Sequence, residues 1–219
     1  MPVERKSHLW IQKAIPGKHK KGEGIALGVL VREVLKLADS MREAKRLLNA
    51  GEILVDGLPA HESKSIVGLM DIISIPKIEK HYCILLLNGK LAVKEVSAAH
   101  AKWKIAKIIN KKILGKSRIQ LNLHDGRNYL IEKEEDRFSP GDSIKIAIPK
   151  QKLEGFFKLE KGALCYIAHG KHSGALAHLE KIEERAGSKE SDAVLKTAHE
   201  ELITVKSYLF VVDKEFSTQ

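Results

Sequence analysis

Residues 40–75 constrain the chain more than any other stretch, because a helix start, a helix stop, a hairpin and a returning strand are all written into them. Ser40 and Glu43 have capping-box spacing: the serine oxygen can accept the Glu43 amide while the glutamate reaches back to the Ser40 amide. From Met41 onward Ala44, Leu47 and Leu48 recur at helical spacing, and Arg42, Lys45, Arg46 and Asn49 share another face. Gly51 stands where the helix end needs a left-handed residue. Ile53, Leu54 and Val55 then run as a strand into Asp56-Gly57, a type I′ hairpin signal, and residues 68–75 supply an apolar strand that returns. Ahead of Ser40, the stripe Leu27, Leu30, Val31, Val34, Leu35 and Ala38 predicts a first helix, with Arg32 and Lys36 one turn apart on its rim.

The charge balance says what a basic helix face is for. Lys plus Arg number 38 against 28 Asp plus Glu, a formal net charge of +10, which favours a polyanionic partner, either nucleic acid or an acidic membrane surface. The 219 residues leave room for about one to three small domains, and with 43% apolar but only 5% aromatic residues the cores are expected to be aliphatic. No apolar run approaches the roughly 20 residues of a membrane-spanning helix. The basic N-terminus lacks the apolar segment of a signal peptide, so a soluble, cytosolic protein is expected. Cys83 and Cys165 lie far apart in apolar runs, which suits buried thiols in a reducing compartment rather than a disulfide.

Residues 1–23 form a basic extension containing Arg5, Lys6, Lys13, Lys18, Lys20 and Lys21 with His8, His19 and Trp10. Such a segment buries too little to fold alone; it is either a solubilising tail or an arm that orders on an acidic partner. After Pro76 a second, β-rich region opens with residues 83–87, Asn88-Gly89 and residues 91–93, the strongest short hairpin signal in the chain. A helical turn is expected over residues 97–101. Trp103 and Ile105 then alternate against Lys102, Lys104 and Lys107, and further strands are expected over residues 119–123, 129–131 and 144–148. No acidic residue lies between Glu95 and Asp125, while Lys102, Lys104, Lys107, Lys111, Lys112, Lys116 and Arg118 accumulate there. A solvated face normally mixes signs, so this block points to phosphate contact.

In the last third Gly162 opens a strand, and Gly170 and Gly174 bracket a loop carrying Lys171 and His172. Residues 185–197 read as a long polar insert, a surface hairpin or loop, followed by a strand over residues 202–212. The run REAKRLLNAGEILVDG with the strand after it resembles the S-four RNA-binding domain, and the glycine-bracketed loop resembles a KOW motif, with Ala175 and Ala177 where that motif usually has a basic residue and a glycine. Joined to GLMDIISI, His124-Asp125-Gly126-Arg127 and Ser139-Pro140-Gly141-Asp142, they resemble the archaeal and eukaryotic small-subunit ribosomal protein S four e family over nearly the whole chain.

That resemblance implies an α+β, predominantly β fold: a basic extension (1–23), an S-four domain of two helices and a small sheet (24–76), a central β-rich domain (77–150) and a KOW-containing, SH3-like small β-barrel (151–219). It implies a structural protein of the small ribosomal subunit that binds 16S-type rRNA and neighbouring ribosomal proteins, with no cofactor and no catalysis. Arg32, Lys36, Arg42, Lys45 and Arg46 would hold the phosphate backbone, and the arm (Lys13, Lys18, Lys20, Lys21), the middle block and the Lys171-His172 loop would widen the footprint. The alternatives are an S-four-domain rRNA-modifying enzyme or an assembly factor, and a regulator that binds mRNA or polymerase. A pseudouridine synthase would have only Asp125 as its catalytic aspartate, in an Asp-Gly turn where aspartate is common for backbone reasons. A methyltransferase would need a glycine-rich turn after a strand, and Gly22, Gly24 and Gly28 follow none. His169, His172 and His178 make a weak metal-ligand set, so no metal is expected.

Overall fold

The computed structural model describes residues 11–20, 22–115, 117–185, 190–197, 200–213 and 216. Among the described residues the protein is mostly β with two short α-helices, and its contacts divide it into two units. The first takes the chain up to Leu85 with Lys90–Lys104 and Ala147–Lys152; the second takes Leu86–Gly89, Ile105–Ile146 and the chain from Leu153 onward.

In the first unit strand β1 (Gly24–Ala26) leads into helix α1 (Leu27–Val29), which continues as a π-helical turn over Leu30–Val34. The expected helix through Ala38 is therefore cut short. Val29, Val31 and Val34 are β-branched and weaken a helix, and the amides of Leu35 and Leu37 bond back to the carbonyls of Leu30 and Val31 as the chain leaves through Lys36 at φ 52°. Lys36 lies past the helix and shares no helical rim with Arg32. Helix α2 (Met41–Asn49) follows its sequence signals closely: the capping box is present in both directions, Ala44 and Leu48 are buried, and Gly51 takes φ 70° after the C-cap.

Strands β2 (Leu54–Val55) and β3 (Leu58–Pro59) flank the Asp56-Gly57 turn, whose residues have φ 51° and 76°, as a type I′ turn requires. The single strand expected over residues 68–75 is two, β4 (Ile66–Gly68) and β5 (Ile72–Ile75). The chain turns between them because Met70 is left-handed at φ 65° and the Asp71 carboxylate accepts the Gly68 amide at 3.0 Å. β4 pairs with β1, whereas β5 lies between β2 and β6 (Lys80–Leu87) in a sheet of order β3-β2-β5-β6-β7, with β7 (Lys90–Val96) completing the Asn88-Gly89 hairpin. Leu27, Leu30, Leu48, Ile53, Ile72, Ile73 and Ile84 are buried in this unit, an aliphatic core as the composition implied.

The second unit holds two five-stranded sheets. One has the order β10-β9-β8-β11-β12, from β8 (Trp103–Leu114), β9 (Arg118–Leu123), β10 (Asn128–Glu132), β11 (Ser143–Ala147) and β12 (Lys152–Phe157). β9 alternates without exception, so Ile119, Leu121 and Leu123 enter a core with Ala106, Ile108, Ile131, Phe138, Ile144 and Ile146. The other sheet has the order β16-β15-β14-β13-β17: β13 (Leu164–Ile167), β14 (Leu176–Glu183), β15 (Asp192–Lys196), β16 (Glu201–Val205) and β17 (Leu209–Val211).

Two expectations are revised in that sheet. Of the hairpin and the loop expected over residues 185–197, the hairpin is found, with residues 192–196 paired antiparallel to β14, but Ala193, Val194 and Leu195 are buried, so this arm is not a surface one. The single strand over residues 202–212 is broken by a 3-10 turn at Lys206–Tyr208.

Candidate nucleic-acid interface

Helix α2 presents a cationic face. Its capping box fixes the first turn, with the Glu43 amide 3.2 Å from Ser40 Oγ and the Ser40 amide 3.3 Å from Glu43 Oε2, which also accepts the Asp39 amide at 2.9 Å. Burial of Ala44 and Leu48 then turns Arg42, Lys45 and Arg46 outward, all three exposed and none paired with a carboxylate among the described residues. Like charges three and four residues apart destabilise an isolated helix by ~0.2–0.5 kcal/mol per pair, a repulsion that an anion beside this face would relieve. Of the other expected contacts in this unit, Lys13, Lys36 and Lys102 are exposed, whereas Arg32 is half-buried and ion-paired with Glu33.

The N-terminal segment is docked from residue 11 to residue 20. The Ile15 amide bonds to the Lys64 carbonyl at 3.0 Å, and Gln12 Nε2 to Ser63 Oγ at 3.1 Å. His19 is buried with its Nε2 2.8 Å from Asp71 Oδ2. Gly68 makes room for that ring: a Cβ there would sit 2.6 Å from His19 Cγ. Lys18 Nζ lies 3.7 Å from Asp56 Oδ2 and Lys20 Nζ 3.7 Å from Glu23 Oε1. Arg5, Lys6, His8, Trp10, Lys21 and Lys116 fall outside the described residues.

Two cations of the middle basic block, Lys104 and Lys107, are internal. Lys104 is buried, its Nζ 2.8 Å from Asp71 Oδ1 and 3.2 Å from Asp56 Oδ2, all three side chains at 0% exposure. Burial pushes the Asp71 carboxyl up, but the Lys104 ammonium and the His19 contact more than reverse this and hold it well below the usual carboxylate range. Lys107 is also buried. Its Nζ donates to the Ser207 carbonyl at 2.6 Å and lies 5.5 Å from the Phe210 ring centroid, and burial depresses its pKa to about 8. Lys111, one-quarter exposed, is ion-paired with Asp136 and donates to the Phe138 carbonyl at 3.0 Å.

The expectation that Lys104 and Lys107 meet phosphate is thus corrected. Alternation was expected to leave one face of the strand in water, but both faces of Trp103–Ile108 are covered. Lys112, Arg118 and Lys171 remain exposed and His172 is half-buried; Arg118 Nε sits 3.7 Å from Glu132 Oε1.

Sequence reasoning missed His19, Asp56 and Asp71 as a charged core around Lys104. A signal was present: Asp71 interrupts an apolar run and Lys104 stands between Trp103 and Ile105, and charges in such places are buried only when paired. Among the remaining candidates, Asp125 is buried with Oδ1 accepting the Arg127 amide at 3.2 Å and Oδ2 3.4 Å from Arg127 Nε, a turn-closing role. His178 Nδ1 is 3.1 Å from the Gly162 carbonyl and His169 packs edge-on against Tyr208. No helix among the described residues is long and apolar enough to cross a membrane.

Residues 78–153 match the family model described as Ribosomal family S4e. Small ribosomal subunit protein eS4 of Methanothermobacter thermautotrophicus is 38% identical over 218 residues, covering 99% of this chain and 89% of that protein. The protein of the same name from Methanocaldococcus jannaschii is 38% identical over 219 residues, covering 97% and 89%. The solved 30S ribosomal protein S4e of Thermoplasma acidophilum superposes with a TM-score of 0.74 at 30% identity, covering 87% of this chain and 95% of that one.

Proposed function

The chain belongs to the small ribosomal subunit protein eS4 family, and from that membership we propose that it binds small-subunit rRNA chiefly through the Arg42, Lys45 and Arg46 face of α2. It is a structural constituent of the small subunit of the cytoplasmic ribosome and not an enzyme. The observation that carries the proposal is the capped helix with three exposed, unpaired cations on one face, which a folded RNA backbone would satisfy without any reading of base sequence.

In this proposal residues 24–76 act as an S-four-type module and residues 151–219 as a KOW-type one. The N-terminal extension (1–23) and the central region (77–150) broaden the footprint through Lys13, Lys18, Lys20, Lys36, Lys102, Lys112, Arg118, Lys171 and His172. Lys104, Lys107 and Lys111 support the fold beneath them. If ~6–10 phosphates are neutralised, affinity for rRNA falls by ~3–5 decades between 50 and 200 mM salt.

The test is co-sedimentation of a tagged copy with small subunits after a moderate salt wash. One copy per subunit is expected, and the combined Arg42→Ala, Lys45→Ala and Arg46→Ala variant, with an unchanged circular dichroism spectrum, is expected to be depleted. Undiminished incorporation of that variant would remove α2 from the interface.

A further inference from the structure

The open face of the β8–β9–β10 sheet carries, beside Lys112 and Arg118, a row of side-chain amides that the cationic interface does not use. Register places Asn110, Asn122 and Asn128 side by side in one row across the three strands, since Asn122 is opposite both of the others. The next row is Lys112, Gln120 and Leu130, and the third is Leu114, Arg118 and Glu132. Ile119, Leu121 and Ile131 point the other way, into the core, so these nine residues share the outer face. All nine are exposed or half-exposed, Leu130 to 55%.

The chain has only five asparagines, and three of them form that one row. Asparagine is depleted in strands, and an open sheet face needing only water would take threonine or alternating charges as readily. An amide row offers donors and acceptors together without net charge. Within it the Gln120 Nε2 donates to Asn122 Oδ1 at 2.6 Å and the Asn110 Oδ1 accepts the Lys111 amide at 2.7 Å, which orients three of the four amides.

We infer that this face docks in the shallow minor groove of a double-helical segment of rRNA, its amides meeting 2′-hydroxyls and base edges. The inference rests on the rRNA-binding function proposed above. The minor groove of an RNA helix is wide, shallow and lined by 2′-hydroxyls that both donate and accept, which is what side-chain amides complement. Three strands ~4.8 Å apart present a nearly flat surface about 10 Å across, which a shallow groove admits and a deep one does not. Charge agrees: Lys112 and Arg118 flank the amides on one side, and the single carboxylate, Glu132, lies opposite Arg118 at 3.7 Å on the outermost row.

Salt separates this contact from the phosphate contacts. Binding of transcribed small-subunit rRNA is measured across a salt series for the full-length protein, for the combined Asn110→Ala, Asn122→Ala and Asn128→Ala variant, and for Lys112→Ala, with circular dichroism to check each fold. The triple variant is expected to bind about 10- to 100-fold more weakly at every salt concentration with an unchanged slope of log affinity against log salt, because uncharged contacts release no counterions. Lys112→Ala is expected to make that slope shallower by about one unit. Normal binding by the triple variant overturns the inference while leaving the proposed function standing. Normal binding combined with poor incorporation into subunits overturns it in favour of a neighbouring protein on this face. Failure of the unaltered protein to bind rRNA overturns both.

Discussion

Replacing Lys104 with methionine tests the buried charge cluster most directly. Methionine keeps most of the apolar stem, so the loss is electrostatic: two carboxylates at 0% exposure lose an ammonium 2.8 and 3.2 Å away. Breaking a buried pair from one side costs ~3–5 kcal/mol, because a carboxylate held out of water loses a close cation and gains no hydration in exchange. The pH dependence carries a sign that simple loss of packing would not.

In the native protein the Asp71 carboxyl is held well below its ordinary value of 3.8. Its contribution to stability is therefore fully present above that value and persists as pH falls to about 4. Without Lys104 the largest influence opposing burial is gone and the carboxyl rises. Its ionised form then destabilises the fold at neutral pH, and protonation on acidification relieves part of the cost. Urea unfolding in a Trp10→Phe background, followed by the buried Trp103, should show a gap between native and Lys104→Met proteins that narrows from pH 7 to pH 4. Adding Asp71→Asn should recover part of the loss. A deficit below ~1 kcal/mol, or one independent of pH, would refute the argument.

Three further outcomes follow from other buried groups. Burial lowers Lys107 to about 8, so the folded protein binds fewer protons there than the unfolded chain; stability should rise between pH 8 and 9, and Lys107→Met should flatten that rise in unfolding titrations. Burial pushes the thiols of Cys83 and Cys165 up to about 12, so neither should react with a thiol reagent at pH 8 until denaturant is added. Gly68→Ala places a methyl 2.6 Å from the His19 ring and should undock residues 11–20, seen as new cleavage after Lys13, Lys18 or Lys20 in limited trypsin digestion.

The family and the ribosomal role were legible in the chain, and so was the α2 face, because each rested on residues close together in sequence. The cationic surface as a whole was legible only in part. Counting lysines across residues 102–118 treats charge as a surface property, yet Lys104 is neutralised by Asp56 and Asp71, Lys107 reaches Ser207, and Lys111 reaches Asp136. Those partners lie 25 to 100 positions away, beyond any local pattern.

What the sequence by itself determined was therefore local: the Ser40–Glu43 cap, the Asp56-Gly57 and Asn88-Gly89 turns and the alternation of β9, all governed by backbone preferences and side-chain period within a few residues. What only the tertiary structure decided was which charges face inward, where α1 ends, how residues 68–75 divide around Asp71, and which asparagines share a row. Each of these depends on a partner strand or a desolvated neighbour. The cost of burying a charge, and the register that aligns one strand with the next, exist only once distant segments have packed.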